Sequence, residues 1–370
     1  MRRVLLAALI TVVGIAVSSC GGGGSPSTQT PSPNEAGTAS EPVNMDVGLY
    51  IIDEKGGEKP VQIVDFPTRA PRWTPTGDGL FFMGDTSGLH GQDPPNVYSC
   101  SATGEGLMNL LETSRNPSTF SLWHTFSPDL SMVAYLTNAS RVIRIADLAD
   151  PTSDREVADG MMGEWSPDGA FLSYLSPACG AFSLFVTTPA GEQTLVVPYA
   201  EGSLISWSTW LPGSSKLAYL RMAKTESGLV PDRLAAFDVR THQTTDVPEL
   251  AGVDVEPIFS PDGIWFVGAE PREDAKGTYL VRWGERMPRR IGDYFSWAPA
   301  WAPQSDKIAL VEDGKIRVYN VADGSDHVID LHLKALPKGA DFWLVEVSWS
   351  PDGKKLAVAV RNGVGRGFCD

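Results

Sequence analysis

Seven segments of this chain align without gaps over eight positions. They are Trp73-Thr-Pro-Thr-Gly-Asp-Gly-Leu80, Phe126-Ser-Pro-Asp-Leu-Ser-Met-Val133, Trp165-Ser-Pro-Asp-Gly-Ala-Phe-Leu172, Trp210-Leu-Pro-Gly-Ser-Ser-Lys-Leu217, Phe259-Ser-Pro-Asp-Gly-Ile-Trp-Phe266, Trp301-Ala-Pro-Gln-Ser-Asp-Lys-Ile308 and Trp349-Ser-Pro-Asp-Gly-Lys-Lys-Leu356. An aromatic residue opens every copy, Pro follows two places later, and an apolar residue sits seven places after the aromatic. The leading aromatics are 53, 39, 45, 49, 42 and 48 residues apart. A repeat of about 40–50 residues is the length of one four-stranded propeller blade. No single unit can bury its faces alone, so the units must stack on one another.

Each motif position has a physical reason. The aromatic ends a strand and fills the wedge between neighbouring blades. Pro lacks an N–H and stops the hydrogen-bond ladder there. Asp-Gly supplies a tight turn, with Gly tolerating positive φ. The apolar residue begins the return strand. Leu356-Ala-Val-Ala-Val360 and Leu217-Ala-Tyr-Leu220 are apolar on both faces, as expected of strands enclosed between stacked sheets.

After each of the first six motifs a third strand is expected: Asn96–Cys100, Arg141–Ile145, Ser183–Val186, Arg233–Phe237, Thr278–Val281 and Lys315–Tyr319. A polar turn and a shorter, more polar fourth strand follow. With the strands named A to D, the motif lies at the A–B junction. The seventh motif has only A and B, and Val47–Asp53 and Pro60–Asp65 read as the missing C and D. The fold class expected is therefore an all-β, seven-bladed β-propeller, closed by N-terminal strands that complete the C-terminal blade. Closure leaves no long sheet edge open to other chains.

These motifs resemble the TolB-like, WD-type propeller repeats of bacterial exported proteins, whose signature is W-S-P-D-G followed by an apolar strand. The resemblance spans Val47 to Asp370. It implies the fold and says little about function, because propellers host many unrelated tasks. The prototype of that family carries an additional N-terminal domain and six blades, so its role in the Tol–Pal envelope system does not carry over.

Residues 1–19 read as a signal peptide. Arg2 and Arg3 precede a fourteen-residue apolar run, Val4–Val17, and then Ser18-Ser19-Cys20. The run is shorter than the roughly 20 residues that a spanning helix needs. The Val-Ser-Ser-Cys ending resembles the lipobox of bacterial lipoproteins, which implies cleavage before Cys20 and acylation of its thiol. The alternative is an ordinary signal peptide. Residues 20–42 form a Gly-, Ser- and Pro-rich stretch without large apolar residues, expected to act as a flexible tether. Residues 43–370 form the propeller. The expected location is outside the cytoplasm, with the cell membrane or outer membrane engaged through lipid on Cys20. The net charge of −15 argues against nucleic acid as a partner. A monomer is expected.

Signals for chemistry are sparse. The chain has no G-x-S-x-G and no H-E-x-x-H pentapeptide. His327 and His332 read as surface residues rather than metal ligands. Gly363-Val-Gly-Arg-Gly367 opens no helix and does not read as a phosphate loop. The repeated Asp129, Asp168, Asp262 and Asp352 recur at one position of the repeat and read as turn residues rather than calcium ligands. No cofactor and no catalytic residue are expected. Cys100, Cys179 and Cys369 read as idle thiols, with a disulfide as the alternative.

Partner contacts are expected in the D–A loops, which converge on one end of the central channel. Tyr294, Phe295 and Trp297 precede motif six, Phe342 and Trp343 precede motif seven, and Arg69 and Arg72 precede motif one. Aromatic and Arg groups are enriched at binding hot spots. Met161, Met162 and Glu164 before motif three, and Asp254 and Glu256 before motif five, extend this rim. The competing reading is that these groups plug the channel mouth. The functional expectation is a non-enzymatic, surface-tethered module that binds a protein, a peptide or an envelope polymer. The alternatives are a lyase or glycan-acting enzyme at the channel mouth, and a structural envelope component.

Overall fold

The computed structural model describes residues 45–84, 96–110, 124–136, 142–178, 181–226, 228–250, 253, 256–269, 277–285, 287–292, 299–337 and 342–363. The signal segment, Cys20 and the tether lie outside them, as do Cys179, Cys369, Asp254, Tyr294, Phe295 and Trp297.

The described strands form seven four-stranded antiparallel sheets, a seven-bladed β-propeller. The A strands are Thr68–Trp73, His124–Phe126, Met161–Trp165, Ser203–Trp210, Ile258–Phe259, Ala300–Trp301 and Phe342–Trp349. A strands of neighbouring blades touch one another, whereas D strands are largely exposed, so A faces the central channel and D the outside. Blade seven combines both ends of the chain. Its A and B strands are Phe342–Trp349 and Lys355–Gly363; its C and D strands are Gly48–Asp53 and Val61–Val64. Closure by the N-terminal strands is as the repeat predicts.

There is no single core. The buried apolar residues separate into seven clusters, and each cluster occupies one seam between neighbouring blades. Side chains alternate across a strand, so successive residues feed opposite seams. Tyr50 and Ile52, with Leu356, Val358 and Val360, pack towards blade six; Leu49 and Ile51, with Ala357 and Ala359, pack towards blade one. This is why the B strands read as continuous apolar runs: both faces are buried, and Leu356 to Val360 are all at most 1% exposed.

The motif aromatic does more than fill space. The indole Nε1–H of Trp73, Trp165, Trp210, Trp301 and Trp349 donates to the carbonyl of Ser348, Thr125, Glu164, Ile258 and Ala300, at 2.9–3.1 Å. Each acceptor immediately precedes the motif aromatic of the blade before. Five seams therefore carry the same cross-blade bond. Blades two and five have Phe126 and Phe259, which have no donor.

The motif Asp residues are turn residues. Oδ1 of Asp129, Asp168, Asp262 and Asp352 accepts the hydroxyl of Ser127, Ser166, Ser260 and Ser350, and also the backbone N–H two residues on. Each of those Ser hydroxyls in turn accepts the N–H that opens strand B. In six blades the turn takes positive φ at its fifth position, which Gly77, Gly169, Gly263 and Gly353 supply and which Leu130 and Ser305 adopt without being glycine; in blade four the positive φ falls one residue earlier, at Gly213.

Strand boundaries differ most in blade four. Its C strand begins at Gly228 rather than Arg233 and runs to Asp238, paired with a ten-residue B strand, Lys216–Thr225. The polar residues of this hairpin hid the extension, because its far end projects from the ring and needs no apolar face.

Candidate functional site

The channel is lined by the A strands, and two of them carry the same local device. In blade one, Arg69 pairs with Met83 and Arg72 with Phe81, so Ala70 and Pro71 together oppose one residue. In blade three, Met161 pairs with Leu175 and Glu164 with Ser173, so Met162 and Gly163 do the same. Such bulges bend a strand and re-aim the side chains beside them. Ala70 takes φ +47°, an unusual conformation for a residue with a Cβ. Both bulges sit just ahead of the position that precedes the motif aromatic. That position holds Arg72 in blade one and Glu164 in blade three, against Thr125, Thr209, Ile258, Ala300 and Ser348 elsewhere. Strand A of blade four is bulged as well, between Ile205 and Trp207, but the uncharged Thr209 precedes its aromatic.

Arg72 lies on an innermost strand and is exposed by accessible area. An exposed side chain on a strand that lines the channel faces that channel. Desolvation lowers its pKa, and the nearby Glu346 carboxylate opposes that shift. Glu346, on strand A of blade seven, is already engaged. Its Oε2 accepts the Ala70 N–H at 2.6 Å, and its Oε1 lies 3.3 Å from Arg361 Nη2. Among the described residues no hydrogen bond or ion pair holds the Arg72 guanidinium. Arg69, three residues earlier on the same strand, is half-buried and does have a partner.

Glu164, on strand A of blade three, is likewise exposed by accessible area. Its carboxyl group hydrogen-bonds to that of Glu256, which stands just before strand A of blade five. Blade four lies between these blades in the ring, so the interaction spans it. Desolvation raises the pKa of Glu164, and desolvation together with the charge of Glu164 holds Glu256 well above the usual carboxylate range. Two carboxyls that hydrogen-bond to each other cannot both ionise readily, so the pair favours retaining a proton.

Of the other predicted rim groups, Phe342 and Trp343 begin strand A of blade seven rather than lying in a loop. Trp343 packs against the blade six–seven seam, and its Nε1–H donates to the Lys334 carbonyl at 3.0 Å. His327 and His332 are exposed. His327 Nε2 lies 2.7 Å from the Glu54 carbonyl oxygen. Cys100 is a buried free thiol, whose pKa burial pushes up to about 11. Among the described residues no group of three or more His, Cys, Asp or Glu side chains is placed to hold a metal ion.

The sequence places Arg72, Glu164 and Glu256 on the rim without showing which of them meet. One further column of the repeat alignment, the position before the aromatic, would have singled out Arg72 and Glu164. Nothing in the sequence pairs Glu164 with Glu256, because 92 residues and a whole blade separate them.

No known family pattern matches the chain, and no curated protein matches its sequence. Solved structures similar to it include TolB from Acinetobacter baumannii, with a TM-score of 0.46 and 12% identity over 81% of this chain. The match spans 65% of that protein's length. A putative TolB from Agrobacterium tumefaciens gives a TM-score of 0.42 at 17% identity, covering 86% of this chain and 99% of that one. An oligogalacturonate lyase solved with manganese gives 0.39 at 14% identity, covering 78% and 97%.

Proposed function

We propose that this propeller is a binding module that engages a protein, peptide or envelope polymer through its central channel, and that acylation of Cys20 holds it at a membrane outside the cytoplasm. The observation that carries the reading is Arg72: an exposed guanidinium on a channel-lining strand that, among the described residues, is held by no hydrogen bond or ion pair. A charge kept in that setting costs free energy unless an opposite charge arrives. A rigid ring on a flexible leash suits capture, since the tether keeps the channel near whatever shares the membrane.

The test is cross-linking in the native envelope, followed by purification of the acylated chain. Capture is expected with the native chain and should be lost with Arg72→Gln. Undiminished capture by Arg72→Gln would remove the channel from the reading. For the anchor, Cys20→Ala should abolish incorporation of a labelled fatty acid and release the protein from the membrane fraction.

A second reading, a glycan-acting enzyme, is favoured by one observation, the hydrogen-bonded Glu164–Glu256 pair. A protonated and an ionised carboxyl side by side are what proton transfer at a substrate requires. Turnover of envelope glycans that Glu164→Gln abolishes would support it; glycans left intact by the native protein would end it.

A further inference from the structure

The chemistry around Arg72 says what it is built to receive, given that the channel is the binding site. The Glu346 carboxylate pairs with Arg361 at 3.3 Å, and its charge also acts on the nearby Arg72. Glu346 has both oxygens committed, one to the Ala70 N–H and one to Arg361. The group therefore keeps one positive charge in excess, and that charge is on Arg72. The backbone is strained to produce this arrangement. Ala70 sits at φ +47° in a bulge, its N–H is turned onto Glu346, and the next residues are Pro71 and Arg72. Strain of this kind persists only where the surroundings impose it. Here the bulge ties Glu346 down and sends Arg72 into the channel alone.

We propose that Arg72 is an anion-binding residue of the channel and that its ligand is a carboxylate. A guanidinium presents parallel N–H donors that match the two oxygens of a carboxylate or a phosphate. Charge decides between them. A single carboxylate neutralises the one excess positive charge, whereas a doubly charged phosphate would leave negative charge beside Glu346. The chain as a whole carries −15, which further disfavours polyanions. Within the ring, Glu346 with Arg361 orients the Ala70 bulge and acts as a positioning group, while Arg72 makes the contact. The carboxylate of an acidic peptide and that of a uronic acid share this chemistry.

The experiment is calorimetric titration of the full chain, and of its Arg72→Gln, Arg72→Lys and Arg240→Gln variants, with N-acetyl-L-glutamate, glucuronate and inorganic phosphate. Saturable binding of at least one carboxylate is expected, at least tenfold tighter than phosphate. It should be lost in Arg72→Gln, weakened in Arg72→Lys, which keeps charge but not the fork, and unchanged in Arg240→Gln on the surface. Near-ultraviolet circular dichroism confirms that each variant is folded. Whichever carboxylate binds tighter identifies the source. Absence of carboxylate binding to the native chain, equal or tighter phosphate binding, or binding that survives Arg72→Gln would each overturn the proposal. The outcome is separable from the channel reading. Envelope capture lost in Arg72→Gln without carboxylate binding leaves the channel as the site and removes only this ligand class.

Discussion

The indole Nε1–H of Trp73 donates to the carbonyl oxygen of Ser348 across 3.1 Å, joining residues 275 positions apart in the chain. This bond crosses the seam between blades seven and one, where the ring closes. Four other seams carry the same bond from the same motif position. The tryptophan of the repeat is thus a bolt between blades: its ring fills the seam and its N–H satisfies a carbonyl at the edge of the preceding A strand.

Trp73→Phe keeps most of the ring and deletes the donor. The Ser348 carbonyl then loses its partner, at a cost of about 1–2 kcal/mol. Urea unfolding of the variant should show that loss. The natural Phe126 and Phe259 indicate that the substitution leaves the ring intact. No loss of stability would mean that the bond is replaced by water without cost.

The N-terminal strands should contribute as much stability as any other pair. Leu49 in strand C of blade seven is fully buried, whereas Val61 in strand D is 54% exposed. Leu49→Ala should cost about 3 kcal/mol through lost burial and the cavity left behind. Val61→Ala should stay within about 0.5 kcal/mol. Equal effects in denaturant titrations would contradict closure by these strands.

Glu256 makes stability depend on pH in a definite direction. Its folded pKa lies well above the ordinary glutamate value of 4.5, so the folded state holds a proton that the unfolded chain gives up. The stability from this group is complete below about pH 4.5 and is lost as pH rises through the raised folded value. Glu256→Gln mimics the protonated form and can still donate to Glu164. Its melting temperature should equal that of the native protein near pH 4.5 and exceed it by several degrees at pH 8. An unchanged difference across that range would show that the pair does not share a proton.

Cys100 should be inert in the folded protein. With its pKa raised to about 11, on the order of one thiol in a thousand is ionised at pH 8, and the side chain is buried. Peptide mapping after iodoacetamide treatment should find Cys100 unmodified in the native chain and fully modified in guanidinium chloride.

The sequence by itself determined the blade count, the A–B turn chemistry and the way the ring closes. These follow from local requirements repeated at a fixed spacing: an aromatic, a residue without an N–H, a turn with positive φ, and a strand apolar on both faces. The same repetition accounts for Asp129, Asp168, Asp262 and Asp352 as turn residues, each visible in one short segment. The tertiary structure alone decided what occupies the channel. Trp343 looks in sequence like a loop aromatic available for binding, yet it begins a strand and packs on a seam. Arg72 and Glu164 stand one residue before a motif, each just after a strand bulge that the sequence does not announce. The proton shared by Glu164 and Glu256 depends on curvature that brings blades three and five to one point. Periodicity encodes which face of a strand is buried; it does not encode which edges of different blades meet, and the channel is made of such edges.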